Sequence, residues 1–399
     1  MRIAYLSASG GSGGAERCLM DLLAVVRQFE PSWRLHVIVP ADGPLPVRAR
    51  NLGVDVRVLP FPASLARVGD ARARLGWPIA GRLTAAAFPA VPYARALGRC
   101  LEDIRPDLVH SNGIKTHVLS IGAPRRVPVL WHLHDYISTR PVSRLLLPLL
   151  RTRCTAAVAN SSAVAADAER TLGGAVPVHC VPNGIDLDEF CPPGASLDLD
   201  AVSGLPPVGP DVVRIGLIAT LAFWKGHDVF LRALRALSRH AMFRAYVIGG
   251  PMYDTAGSQV SLDDVRRTIA ELGLERHVGL TGFVDRPATA MRALDVVVHA
   301  STRPEPFGLV VAEAMACGRA VIASRQSGAA EFVRDGDDVI LSESNVEDLT
   351  RSLRRVVADA DLRARLGGHA RATALKYFDR QRMGGEIISV YRDVVRANT

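Results

Sequence analysis

Residues 299–324 read HASTRPEPFGLVVAEAMACGRAVIAS. The apolar run before them, DVVVHA (295–300), stops at a loop in which Pro304 and Pro306 block helix. A helix then opens at about Gly308, and Gly318 is placed to end it. AVIAS (320–324) is the next strand. Strand, loop, helix and strand in this order make a βαβ unit of a parallel sheet. The amides of residues 307–310 open the helix without intrahelical partners. They follow a strand's carboxyl end, where open α/β sheets bind ligands. An anion site is expected there, with pyrophosphate as its natural guest. Glu305 lies just outside the helix start and Glu313 on its second turn. A bare carboxylate beside a phosphate is electrostatically costly. The two acids are therefore expected to accept sugar and ribose hydroxyl protons.

The same alternation extends in both directions. Upstream lie the strands IAYLSA, LHVIVP, VDVRVLP, DLVHS (107–111), VPVLWHLH (127–134), AAVANS (156–161) and VHCVPN (178–183), with helical patterns between several of them. Residues 190–211, FCPPGASLDLDAVSGLPPVGPD, hold five prolines and three glycines and read as a linker. The alternation restarts with RIGLIAT and continues through RAYVIGG, HVGLTGF, DVVVHAS and AVIAS to a strand near 339–341. Helices from about 346 to 377 and from 381 to 396 close the chain. Four segments are expected: a Rossmann-like domain 1–190, a linker 191–210, a second Rossmann-like domain 211–378, and a terminal helix 379–399 packing back on the first domain.

Composition narrows the class. The 399 residues are 48% apolar and 22% charged, which fits a folded globular chain. The longest uncharged stretch, Thr171–Ile185, has 15 residues, too few to span a bilayer. The glycine loop after the first short apolar run leaves no room for a signal-peptide core. Six cysteines without a CxxC pair point to reduced, mostly buried thiols and a cytoplasmic chain. Residues 1–195 carry 22 Lys and Arg against 15 Asp and Glu, and residues 196–399 carry 26 against 25. The first half is thus the anion-attracting half. Arg outnumbers Lys 45 to 3. In that background Lys225, which follows a strand in WKGHD, stands out as a diphosphate ligand.

Other motifs are weighed on their residues. Gly10-Gly11-Ser12-Gly13-Gly14 precedes a helix, but GxGxxG needs glycine at position 16, which is Glu16. A nicotinamide site is therefore not expected. His134-Asp135 ends a strand, and His110 ends another, a lesser candidate. His132 shares a face with His134 if the strand continues, and is otherwise a satisfied core residue. A metal centre from His132, His134 and Asp135 has the residue types but shows no remote third ligand, so no metal is expected. Asp186-Leu-Asp188 and Asp198-Leu-Asp200 read as solvated turn or cap acids. Residues 61–100 carry Arg67, Arg72, Arg74, Arg82, Arg95 and Arg99 against Asp70, interspersed with Trp77, Phe88 and Tyr93. Such a segment suits peripheral contact with an anionic membrane at its inner face, an acceptor-pocket wall, or plain solvated surface. No nucleic-acid module accompanies the charge.

EPFGLVVAEAMACG spells E-x7-E and resembles the signature of family 4 glycosyltransferases. DLVHSNG (107–113), HLHDY (132–136), ANSSAV (159–164), VPNGIDLDEF (181–190), FWKGHD (223–228) and GFVDR (282–286) resemble that family's blocks in order. The resemblance implies the α/β GT-B fold, with two Rossmann-like domains facing a central cleft. It implies a retaining, metal-independent hexosyl transfer from a nucleotide-diphosphate sugar, UDP-GlcNAc or UDP-glucose foremost, to a small-molecule or lipid-linked hydroxyl. GDP-mannose, or an epimerase or phosphorylase on the same fold, is the alternative. In such enzymes Glu305 contacts the donor sugar and Glu313 the ribose. The amides of Phe307, Gly308, Leu309 and Val310 serve sugar and diphosphate, and Gly13 and Gly14 close over the phosphates. His134 stands near the reacting sugar, Asp135 beside the acceptor, and Phe283 and Val284 at the base. The family usually has Arg five residues before the lysine; this chain has Thr220, and Arg303 is the expected substitute.

Overall fold

The structure, a computed structural model, describes residues 1–62, 79–250 and 260–398, with only the helical backbone of 79–89. The chain forms two compact units, Met1–Gly184 with Arg380–Thr399, and Ile185–Asp379.

Among the described residues, the first unit holds seven parallel strands: β1 Arg2–Ser7, β2 Arg34–Val39, β3 Asp55–Val58, β4 Leu108–Asn112, β5 Val129–Leu133, β6 Ala156–Ala159 and β7 Val178–Cys180. Their spatial order is β3-β2-β1-β4-β5-β6-β7. β4 and β5 are buried at every position, as a sheet covered on both faces requires. The helix Gly14–Phe29 turns Cys18, Leu19, Leu22, Leu23 and Val26 inward. The terminal helix Arg380–Arg396 packs on it, burying Met383, Ile387 and Tyr391. Gly384 makes that approach achievable, because a Cβ there would lie 2.3 Å from Val25 Cγ1.

The second unit repeats the plan with β8 Val213–Ile218, β9 Phe243–Ile248, β10 Val278–Gly282, β11 Val296–His299, β12 Ala320–Ser324 and β13 Ile340–Ser342. The order is β10-β9-β8-β11-β12-β13. In each sheet the strand order reverses once, between β1 and β4 and between β8 and β11. These are the switch points at whose carboxyl ends a doubly wound sheet binds ligands.

Four expectations are corrected. Residues 191–210 are not a free linker. Asp198 caps a helix Leu199–Ser203, Leu199 is 2% exposed in the second unit's core, and the units divide at Gly184 and Ile185. Proline and glycine content marked irregular backbone there, which is also what a packed loop needs. Asp200 is no solvated acid either. It is buried, accepts from the Tyr246 hydroxyl at 2.9 Å and pairs with Arg244 at 3.3 Å. The helix expected over 346–377 is two helices, Val346–Ala358 and Ala360–Tyr377, with Asp359 ending one and capping the next. Within 61–100, residues 63–78 with Arg67, Asp70, Arg72, Arg74 and Trp77 lie outside the described residues. Arg95 and Arg99 are exposed, but Tyr93 is buried against Phe61 and belongs to the core. All six cysteines are free, three of them buried. Among the described residues no helix is long and apolar enough to cross a membrane.

Candidate functional site

The second unit gathers its chemistry at the β8–β11 switch point. After β8 the chain runs through Thr220 into a short turn, Phe223–Lys225. After β11 it runs through Ser301 to Glu305. The Lys225 ammonium lies 2.5 Å from Glu305 Oε1. Glu305 Oε2 accepts from the Ser301 hydroxyl at 2.5 Å and from His299 Nε2 at 2.7 Å. The Ser324 amide points at His299 Nδ1 from 3.4 Å, so Nδ1 is the acceptor and Nε2 carries the proton toward Glu305. Burial alone would push the Glu305 carboxyl up. The Lys225 charge and His299 outweigh it and hold the group well below the usual carboxylate range. The carboxylate is thus ionised, and its charge is already matched by a cation and two donors.

Beside this cluster the helix Leu309–Ala316 begins. Its cap residue Gly308 has φ 92° and no side chain caps the helix, so the first-turn amides of Leu309 and Val310 remain available. Gly308 is doubly constrained: a Cβ would also stand 2.6 Å from Ser327 Oγ. The Ser327 hydroxyl donates to the Phe307 carbonyl at 2.6 Å, and the Phe307 ring is buried against Phe378. Phe307 thereby fixes the loop from below. Glu313 is 3% exposed, so it is a buried acid of this helix. Arg303 is exposed and lies over the Phe223 ring, 4.4 Å from its centre. That stacks it on the turn carrying Lys225. Thr220 keeps a buried hydroxyl without a hydrogen-bond partner among the described residues. Phe283 is 59% exposed after β10, while Val284 packs against the core.

The first unit concentrates its polar groups at the β1–β4 switch point. Gly13 caps the helix Gly14–Phe29 through its carbonyl, with extended backbone (φ −65°) and no side-chain cap, and Gly14 is exposed. Asn112, the last residue of β4, donates to the Ala15 carbonyl at 3.1 Å, so its Oδ1 faces His134 Nε2 at 2.7 Å. This fixes the imidazole with Nε2 as donor. Burial pulls the His134 pKa down to about 4 despite the neighbouring Asp135, so the ring is neutral at pH 7. Asp135 pairs with Arg140 at 2.7 Å. Glu16 is raised by burial; backbone amides oppose the shift and the Asp135 charge adds to it.

His110 is a correction. Expected on the acceptor side, it is fully buried, with its Nδ1 2.8 Å from the Tyr391 hydroxyl of the terminal helix. His132 continues the strand face of His134, their ring centres 4.1 Å apart, but it is not a satisfied core residue. Both its ring nitrogens are buried without a partner among the described residues.

His299 and Ser301, the groups that grip Glu305, were not singled out from sequence, nor were Asn112 and Arg140. For His299 and Ser301 a signal existed: they sit two apart at a strand end, four to six residues before the acid. Nothing local marks Asn112, because its partners come from other segments; Arg140 lies only five residues after its partner Asp135.

Residues 210–373 match the family described as "Glycosyl transferases group 1", and residues 12–189 match "Glycosyltransferase Family 4". The D-inositol 3-phosphate glycosyltransferase of Xylanimonas cellulosilytica is 33% identical over 235 residues, 56% of this chain and 53% of that protein. The lipopolysaccharide core biosynthesis mannosyltransferase LpcC of Rhizobium leguminosarum bv. viciae is 32% identical over 225 residues, 56% of this chain and 62% of that protein. The match thus spans little more than half the length of these curated relatives. The solved structure of Anabaena HepE in complex with UDP and glucose superposes with a TM-score of 0.78 at 26% identity, over 98% of this chain and 99% of that one.

Proposed function

The chain belongs to glycosyltransferase family 4, with the GT-B fold, and on that footing we propose that it moves a hexosyl group from a UDP-sugar to an acceptor hydroxyl with retention at the anomeric carbon. The observation that carries this is the Lys225–Glu305 pair beside an uncapped helix start. Lys225 spends one of its three donors on Glu305 and keeps two for phosphate oxygens. The Leu309 and Val310 amides add the positive end of a helix. The Glu305 carboxylate, neutralised by its partners, sits near a diphosphate without repelling it and orients the sugar hydroxyls.

In the proposed step the acceptor oxygen bonds to the anomeric carbon as the bond from that carbon to the diphosphate breaks. The acceptor proton passes to the departing phosphate oxygen on the same face. The protein's contribution is positioning and charge stabilisation. Lys225, the helix start and Arg303 hold the leaving diphosphate. Glu305 and neutral His134 hold the sugar, Glu313 the ribose, and Asp135 the acceptor. Phe283 and Val284 flank the base. No metal cofactor enters the step.

UDP is favoured as the nucleotide because HepE is described with UDP and glucose. The name of LpcC favours mannose as a second reading of the sugar. A thermal-shift panel of UDP-, GDP- and ADP-sugars tests the assignment, since a ligand that binds only the folded state raises stability by about 2.7 kcal/mol at 100 times its Kd. A UDP-sugar is expected to give the largest shift, and none from any nucleotide sugar would overturn the proposal. Donor consumption with and without acceptor separates transfer from epimerase or phosphorylase chemistry.

A further inference from the structure

Three ligand-type side chains converge in the first unit from distant points in the sequence. Cys18 comes from the helix Gly14–Phe29, His132 from β5, and His134 from just beyond it. One ligand atom of each lies within 4.8 Å of the other two. Cys18 and His132 are fully buried. Met383, on the terminal helix, brings its thioether sulfur to 3.7 Å from Cys18 Sγ.

A buried imidazole with neither nitrogen bonded is a costly arrangement, and His132 is in that state. No hydrogen-bond partner among the described residues answers it; the His134 and His110 rings lie 4.1 and 5.2 Å from its own, centre to centre, and a ligand atom of Cys18 within 4.8 Å. His134 meanwhile has its Nε2 held by Asn112 Oδ1, the outer hydrogen bond by which proteins orient a metal-bound imidazole, and so directs Nδ1 elsewhere.

We propose that Cys18, His132 and His134, with Met383 as a weak fourth donor, form a binding site for a soft or borderline transition-metal ion of the Cu+ or Zn2+ class. The donor set is one thiol, two imidazoles and one thioether, and soft sulfur ligands select those ions over Mg2+ or Ca2+. Binding replaces the Cys18 S–H bond with a sulfur–metal bond, and the proton now shared with Asn183 Oδ1 leaves to solvent. The same ion satisfies the orphan nitrogen of His132. Because it also takes His134, occupancy lowers glycosyl transfer; that consequence alone rests on the role proposed for His134 above.

The site is tested by binding alone, on the full chain stripped of metal with a chelator. Co2+ is the spectroscopic probe, and Zn2+ and Cu+ are competitors. About one equivalent of Co2+ is expected to raise a thiolate-to-cobalt charge-transfer band in the near ultraviolet, which Zn2+ or Cu+ abolishes. Cys18→Ser and Cys18→Ala should each remove the band and weaken binding at least ~10-fold, with the far-ultraviolet dichroism checking that they fold. Cys180→Ser, at an exposed cysteine, should change nothing. His132→Gln is the second probe and should also weaken binding. Absence of the band in the wild type, or its persistence in the Cys18 variants, overturns the site. UDP titration of the same samples is independent of this outcome, so failure of the metal site leaves the transferase reading standing.

Discussion

The Lys225 ammonium lies 2.5 Å from Oε1 of Glu305, while His299 and Ser301 occupy Oε2 of the same carboxylate. Two loops that follow neighbouring strands are thereby joined by charge. The side chains are 17% and 16% exposed, so water screens the pair only in part. Removing one member leaves the other uncompensated, whereas removing both does not. Lys225→Met should destabilise the chain by about 1–3 kcal/mol. In that background Glu305→Gln should cost less than it does in the wild type. A double-mutant cycle in urea reads the coupling, and a coupling near zero would contradict the pair's structural weight.

The same carboxylate sets a pH dependence. Its folded pKa is depressed by Lys225 and His299 against the opposing effect of burial. A depressed acid contributes stability that is whole above its unfolded pKa and is lost as pH falls through the folded value. The contribution should therefore be intact at pH 7 and fade below the ordinary glutamate value of about 4.3. The stability gap between wild type and Glu305→Gln should narrow as acid unfolding approaches, measured by urea titration at each pH. A gap that widens toward low pH reverses the sign and removes the account of this group.

Much of this was legible in the sequence. Apolar strands alternating with helices predicted two parallel sheets, and E-x7-E located the helix start and its flanking acids. The misses share a cause. Asp200 and His110 are buried by partners remote in sequence, Tyr246 and Arg244 for one and Tyr391 for the other. Asp200 in a turn-like stretch reads as solvated, and His110 at a strand end reads as an acceptor-side candidate, until their distant neighbours are known. Proline-rich 191–210 looked like a linker because irregular backbone has the same composition whether it packs or not. Cys18 stayed unremarked for the same reason: its histidine neighbours lie more than a hundred residues away.

Gly308 is required twice, by φ 92° and by Ser327 Oγ at 2.6 Å from any Cβ. Gly308→Ala should cost about 1–3 kcal/mol and move the first-turn amides. Thermal melts read the first effect, and nucleotide affinity should fall with it. An alanine variant with unchanged stability would mean that the helix start is softer than its geometry indicates.

Tyr391 of the terminal helix holds the buried His110. Tyr391→Phe leaves His110 with neither nitrogen bonded, since its Nε2 already lacks a partner among the described residues. A loss of about 1–3 kcal/mol is expected, with nucleotide affinity unchanged because the residue belongs to the other unit. Reduced nucleotide affinity in a folded Tyr391→Phe protein would show that this separation of roles is wrong.

The central claim is that the Lys225 side chain and the adjacent helix start bind a nucleotide diphosphate. Its most direct measurement is calorimetric titration of UDP into the wild type and into Lys225→Ala, at matched folded concentration. Loss of a charge-assisted phosphate contact predicts binding at least ~10-fold weaker in the variant. Equal affinity in the two proteins, or no binding of UDP, GDP or ADP by the wild type, would contradict it.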